Sequence, residues 1–228
     1  VDMKSHYQNL IEDIKNVYNE NSINGLLNTK VEVEFIHQLV PNLERSHVMG
    51  SDTIESLITA ITHVARLGLT LSPEKGLASL TAYNATNNSQ EYYINVSLAG
   101  IEATMSRVNE YKITTLDVVT GDEGISWNGN VLGTNTAVRP PVKSEMIKGA
   151  ICIIEVPCGD QLLTTITINE LKELSRLSTG DLKALTPDFA KRHVFKRALK
   201  SLIAPPCSVL SDLQKATKSI DLALFSKQ

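Results

Sequence analysis

One stretch of the chain is built to bind charge. TPDFAKRHVFKRALKSLIAPP, residues 186–206, carries Lys191, Arg192, His193, Lys196, Arg197 and Lys200, and has no carboxylate between Phe189 and Ala204. At 100° per residue, Arg192, His193, Lys196, Arg197 and Lys200 fall within an arc of about 140°. Val194, Phe195, Ala198, Leu199 and Leu202 fall on the other side. Steps of four residues climb about 6 Å, so Arg192, Lys196 and Lys200 can address successive charges of an extended anionic chain. Lys191 projects among the apolar residues and must snorkel or sit at an edge. The bland alternative is a solvated helix face. Such a face usually mixes signs to gain i,i+4 pairs, and this one does not.

Other reactive side chains form no comparable pattern. Asp117, Asp122 and Glu123 are the carboxylates of the β-rich part that Mg²⁺ chemistry would need, and they read better as turn and solubility residues. His37, His47, His63 and His193 show no metal spacing and accompany no nucleophile motif. There is no Gly-Lys-Ser/Thr phosphate loop. Tyr83, Tyr92 and Tyr93 could stack bases, although strand tyrosines are more often core or cross-strand pairs. Cys152, Cys158 and Cys207 are an odd count without metal spacing, read as reduced thiols of a cytosolic protein, with Cys152 buried in a strand.

The elements that position these residues follow from periodicity. Helices are expected over 5–20, 30–40 (ended by Pro41), 52–67 with Ser51 as cap, and 97–108 with Ser97 as cap. LASLTAY and EYYINV flank the polar NATNNSQ as a hairpin, after the punctuated LGLTLSPEKG. KITTLDVVT, GAICIIEVP and QLLTTITI read as a meander, interrupted by a flexible excursion at 121–146. Asn169 caps ELKELSRLS, Pro187 opens the basic helix over 187–203, and Ser211 opens the last helix, with Leu213, Ala216, Ile220 and Leu224 on one face. Grouped strands imply an α+β fold with antiparallel pairing.

Composition sets the frame. The 228 residues are 42% hydrophobic and 21% charged, ordinary for a globular protein, with a net charge of −3. Residues 1–60 hold nine acids and four bases, whereas residues 172–218 hold ten bases and four acids. That asymmetry suits an anionic ligand or head-to-tail self-association. No apolar run reaches membrane-spanning length.

Several segments, in order, resemble the RecT/Redβ family of phage single-strand annealing proteins. They are ITHVARLGLTLSPEKGLASLTAYN, YYINVSLAGIEATMSRVN, GAICIIEVPCGDQLLTTITINELKELSRLS and DFAKRHVFKRALKSLI, with GDEGISWNGN standing at the family's acidic-aromatic turn. The likeness spans roughly residues 52–204. It departs at Ser97-Leu98-Ala99-Gly100, where the family carries a lysine, and at Thr186-Pro187-Asp188-Phe189, where it carries a tryptophan.

The resemblance implies a bent antiparallel sheet, hairpin plus meander, backed by helices, with DNA in a groove over the sheet and the basic helix. It implies ATP-independent binding of single-stranded DNA and annealing of complementary strands, in phage-type recombination in the cytoplasm of a bacterial host. The expected partners are single-stranded DNA and the annealed duplex, further copies of the chain in rings or helical filaments, a 5′→3′ exonuclease and a host single-strand binding protein; no membrane is involved. Neither catalysis nor a cofactor is expected, Mg²⁺ only assisting DNA binding. Lys75, Lys191, Arg192, Lys196, Arg197 and Lys200 match basic positions, and Arg107 matches a helix-end arginine that can equally be structural. Tyr83 and Tyr93 complete the DNA-binding set. The expected division is a helical region 1–50 for oligomer contacts, an annealing core 51–206 and a C-terminal helix 207–228. A metal-dependent nuclease and a self-assembling structural protein are the competing readings.

Overall fold

The computed structural model describes residues 3–23, 26–40, 43, 49–84, 90–120, 146–179 and 185–225. Pro41, His47, Asp122, Glu123, the hairpin loop 85–89 and the excursion before Met146 lie outside these residues, as do the side chains of Ile220 and Leu224. In chain order the elements are α1 (Met3–Asn21), α2 (Thr29–Leu39), α3 (Ser51–Leu67), β1 (Ala78–Asn84), β2 (Gln90–Val96), α4 (Leu98–Met105), β3 (Lys112–Thr120), β4 (Ile147–Glu155), β5 (Gln161–Thr167), α5 (Ile168–Thr179), α6 (Pro187–Ser201) and α7 (Val209–Phe225). The class is α+β, as grouped strands imply.

The chain forms two compact units, residues 1–109 with 203–228, and residues 110–202. The units divide at 109/110 and at 202/203. No unit boundary falls at 50, because α1 packs directly on α3.

In the first unit α3 is the organising helix, in contact with α1, β2 and α7. Leu57, Ile61 and Val64 recur at helical spacing and are fully buried. Each such side chain contributes about 1.5–3 kcal/mol relative to exposure. The helix stops at Gly68, whose φ of 58° lets its N–H turn back to Val64 and Ala65 carbonyls. Ser51 is the first helical residue rather than the cap; Gly50 holds the cap position without a side-chain bond.

The segment after α3 is held by a buried carboxylate. Glu32 on α2 is 3% exposed. One of its oxygens accepts from Thr70 Oγ1 at 2.6 Å and the other from the Leu71 N–H at 2.9 Å. Those bonds answer the desolvation of the charge and seat Leu69 and Leu71 in the core. β1 and β2 pair antiparallel from Ala78↔Val96 to Asn84↔Gln90. Ser97 caps α4, as expected, accepting from the Gly100 N–H at 3.0 Å.

In the second unit β3, β4 and β5 form an antiparallel meander in that order. β4 is central and buried at Ile147, Gly149 and every residue from Ala150 to Ile154, so neither of its faces is open. Burial pushes the Cys152 thiol up to about 12. Gly159, with φ of 87°, closes the β4–β5 turn, where its N–H donates to Val156 O at 2.8 Å. The hairpin and the meander are thus two sheets, not the single bent sheet expected, because β2 pairs with β1 and β3 with β4.

Two further helix starts differ from expectation. α5 begins at Ile168 with a capping box: the Glu170 carboxylate accepts from Thr167 N at 2.8 Å, and Thr167 Oγ1 accepts from Glu170 N at 3.4 Å. Asn169 lies inside that helix. Ser208, not Ser211, caps α7, its Oγ accepting from Ser211 N at 3.1 Å.

Candidate nucleic-acid interface

α6 begins where the sequence places it. Thr186 accepts from Phe189 N at 3.1 Å and Pro187 occupies the first turn, two features that fix the helix start. The helix then lies against all three strands of the meander.

Its cations divide by what they touch. Lys191 Nζ sits 3.2 Å from Asp117 Oδ1 on β3. Arg197 donates to Glu170 Oε1 at 2.8 Å and to the Thr165 carbonyl at 3.0 Å. Beyond Asp188 in its first turn the helix carries no carboxylate of its own; those of Asp117 and Glu170 come from β3 and α5, and like-charge repulsion along the helix is partly cancelled. Lys191 needs no snorkelling: its ammonium has a counter-charge on the adjoining strand. The Arg197 hydrogen bond, followed by the Thr167 contacts, depresses the Glu170 carboxyl to about 2. Asp117 is a strand residue rather than a turn residue, and its carboxylate also accepts from Val118 N at 2.9 Å.

Lys196 departs from the expected phosphate-facing strip, being only 4% exposed. The reason is the width of the packed surface. Ala190, Val194, Phe195, Ala198, Leu199 and Leu202 are all buried and, with Lys196, cover an arc of about 240° around the helix. Arg192 and His193 are half-buried, with the His193 ring 4.3 Å from that of Phe189, and Lys200 is exposed. Lys191 and Arg197 straddle the direction of Val194, so Arg192, Lys196 and Lys200 occupy the opposite side of the helix.

The other expected residues belong to the first unit. Lys75 is exposed on the turn in which its N–H and that of Gly76 donate to Ser72 O at 3.2 and 3.1 Å. Arg107 is structural: its guanidinium donates to Leu67 O at 2.5 Å and Gly68 O at 3.5 Å, satisfying carbonyls at the end of α3. Burial lowers its pKa. Tyr83 and Tyr93 meet edge-to-face, centroids 5.6 Å apart, as a cross-strand pair. The Tyr93 hydroxyl donates to Glu91, and burial, with that bond, pushes it up to about 12.

A further set of polar residues escaped the sequence reading. Asp52, Glu55, Ser56, Thr59 and His63 follow one stripe of α3 and line a cavity of about 310 Å³ against Tyr92, Tyr93 and Ile94 of β2. Their i, i+3, i+4, i+7, i+11 spacing was visible in the sequence, but the apolar face of the same helix was the stronger signal. Among the described residues no group of three His, Cys, Asp or Glu side chains could hold a metal ion, and no helix is long and apolar enough to cross a membrane. No protein-family model matches the chain, and no curated protein matches it.

Proposed function

We propose that the chain binds single-stranded DNA through α6 and anneals complementary strands without ATP, as an oligomer acting in phage-type recombination beside an exonuclease. The observation that carries this reading is the roll of α6. Lys191 and Arg197 pair with Asp117 and Glu170, whereas Lys200 is exposed on the other side of the helix, which starts at the Thr186 cap. The order of the segments that resemble RecT/Redβ proteins supports the same reading. Annealing requires no bond chemistry, only backbone contacts that leave base edges accessible.

The number of available cations sets the size of the effect. Four phosphate contacts on single-stranded DNA give a log–log salt slope near −3, at about −0.7 per contact. With Lys196 buried, the slope from α6 is shallower than that, by about 0.7 for each cation that does not reach a phosphate. Fluorescence anisotropy with a labelled oligonucleotide at several salt concentrations measures it. Lys200→Glu lowers affinity, and a fluorescence-quenching assay without ATP reads the loss of annealing. Binding insensitive to salt, or annealing unchanged in Lys200→Glu, refutes the reading. Divalent-dependent cleavage of the oligonucleotide would favour the nuclease instead.

A further inference from the structure

The hairpin of the first unit leaves one strand edge open. In an antiparallel pair, successive residues turn their backbone groups alternately towards the partner strand and away from it. The Ser97 N–H donates to Leu77 O at 3.0 Å, one step beyond the Ala78↔Val96 pair, so the odd-numbered residues of β1 bond across the hairpin. The Tyr92 N–H points the other way, to Ser56 Oγ on α3 at 3.0 Å, and Tyr92 stands opposite Ala82. On β1 the N–H and C=O of Leu80 and Ala82 therefore point away from β2.

Other strand edges are closed or charged. Ser56 of α3 covers that of β2. On β5, Thr165 O accepts from Arg197 and Thr167 N donates to Glu170. β3 carries Lys112 and Asp117. Among the described residues, no hydrogen bond reaches the backbone of Leu80 or Ala82 from outside the hairpin, and β1 packs chiefly on β2. Ala82 is exposed, and Ser79, Leu80 and Thr81 are half-buried. The strand ASLTAYN has neither a charge nor a proline, the devices that ordinarily keep an edge from pairing.

We infer that β1 is an association surface for a second copy of the chain, the two β1 strands running antiparallel about a two-fold axis at Thr81. Leu80 then exchanges N–H···O=C bonds with the partner's Ala82, and Ala82 with the partner's Leu80, about four bonds in all. Thr81 stands opposite the partner's Thr81, and Ser79 opposite the partner's Tyr83. The strand fits itself because outward residues meet outward residues when it is read backwards about Thr81, and because no like charges are brought face to face. A foreign strand selected by charge finds no counter-charge on β1. The pairing is independent of α6 and of DNA.

The test uses the full chain without DNA, with Cys158→Ser and Cys207→Ser so that an added thiol is the one exposed cysteine. Thr81→Cys should form an interchain disulfide under mild oxidation, because directly opposed residues of a non-bonded pair have Cα atoms about 4.5 Å apart, within disulfide range. Ser79→Cys, about 14 Å from its symmetry mate, should not. Ala82→Pro removes an outward N–H and leaves the β1–β2 ladder whole, so it should lower the mass seen by light scattering about twofold, from dimer to monomer. Thermal melts establish that the variants fold; if Ala82→Pro does not, the two cysteine variants decide. Ser79→Cys crosslinking as readily as Thr81→Cys, an unchanged mass in folded Ala82→Pro, or a monomeric parent, whether or not it takes up a foreign strand, would each overturn the assignment.

Discussion

Lys191 on α6 reaches to β3, where its ammonium lies 3.2 Å from Asp117 Oδ1, with the two side chains 28% and 42% exposed. At that exposure the pair contributes at most about 1 kcal/mol to stability. Its larger effect is on direction, since it neutralises the one α6 cation that lies between apolar positions.

Asp117→Asn therefore separates stability from binding. The urea midpoint should fall by no more than about 1 kcal/mol in free-energy terms. Affinity for a labelled single strand at low salt should change little, because Lys191 lies on the side of α6 away from the proposed phosphate path. A several-fold rise that salt erases would instead place Lys191 within reach of the DNA.

Glu170 makes the acid limb of stability testable. Its folded pKa of about 2 lies below the ordinary 4.5, with the Arg197 hydrogen bond as the main cause and the Thr167 bonds next. A depressed carboxyl contributes stability that is fully present above pH 4.5 and is lost as pH falls towards 2. Thermal melts between those limits should show the loss, and Glu170→Gln should flatten that part of the profile. An identical profile in the variant would mean that Glu170 titrates alike in the folded and unfolded chain.

The same residues show how far local pattern reaches. The Leu57, Ile61, Val64 stripe, the start of α6 at Pro187 and the β1–β2 hairpin are written in neighbouring residues, and they form as read. Asp117 and Glu170 are far from α6 in sequence, so no helical wheel could reveal that they partner its cations. The capping box Thr167–Glu170 was legible, but Asn169 competed for the same role. The separation of hairpin and meander into two sheets depends on which strands pair, and strand periodicity carries no such information.

Lys196 offers a direct check on burial. Lys196→Met keeps the packed stem and should cost about 1–3 kcal/mol for the ammonium's lost interactions. Lys196→Glu reverses a charge in a nearly closed site and should cost more, about 3–5 kcal/mol, enough to unfold a marginal unit. Chemical denaturation of both variants gives the ranking. If Lys196→Glu folds as well as the parent and merely loses DNA, the side chain points to solvent.

Gly100 sets sterics against propensity. In a helix, alanine is favoured over glycine by about 1 kcal/mol, so Gly100→Ala in α4 would ordinarily stabilise. Here a Cβ would lie 2.1 Å from the Leu77 carbonyl oxygen. That oxygen cannot retreat freely, because it accepts from Ser97 N at 3.0 Å and from Ser97 Oγ at 3.1 Å. Relief requires moving α4 away from the start of β1, which breaks both bonds and opens the packing around Ile101. The expected loss exceeds about 3 kcal/mol, the sum of overpacking and two forfeited hydrogen bonds. Gly76→Ala is the control: φ is 58° there, but the nearest atom, Pro73 O, is 4.0 Å from the new Cβ. Only the left-handed backbone penalises that change, by about 1–2 kcal/mol. Urea denaturation should rank Gly100→Ala as the more damaging of the two, the reverse of the order that backbone preference alone dictates.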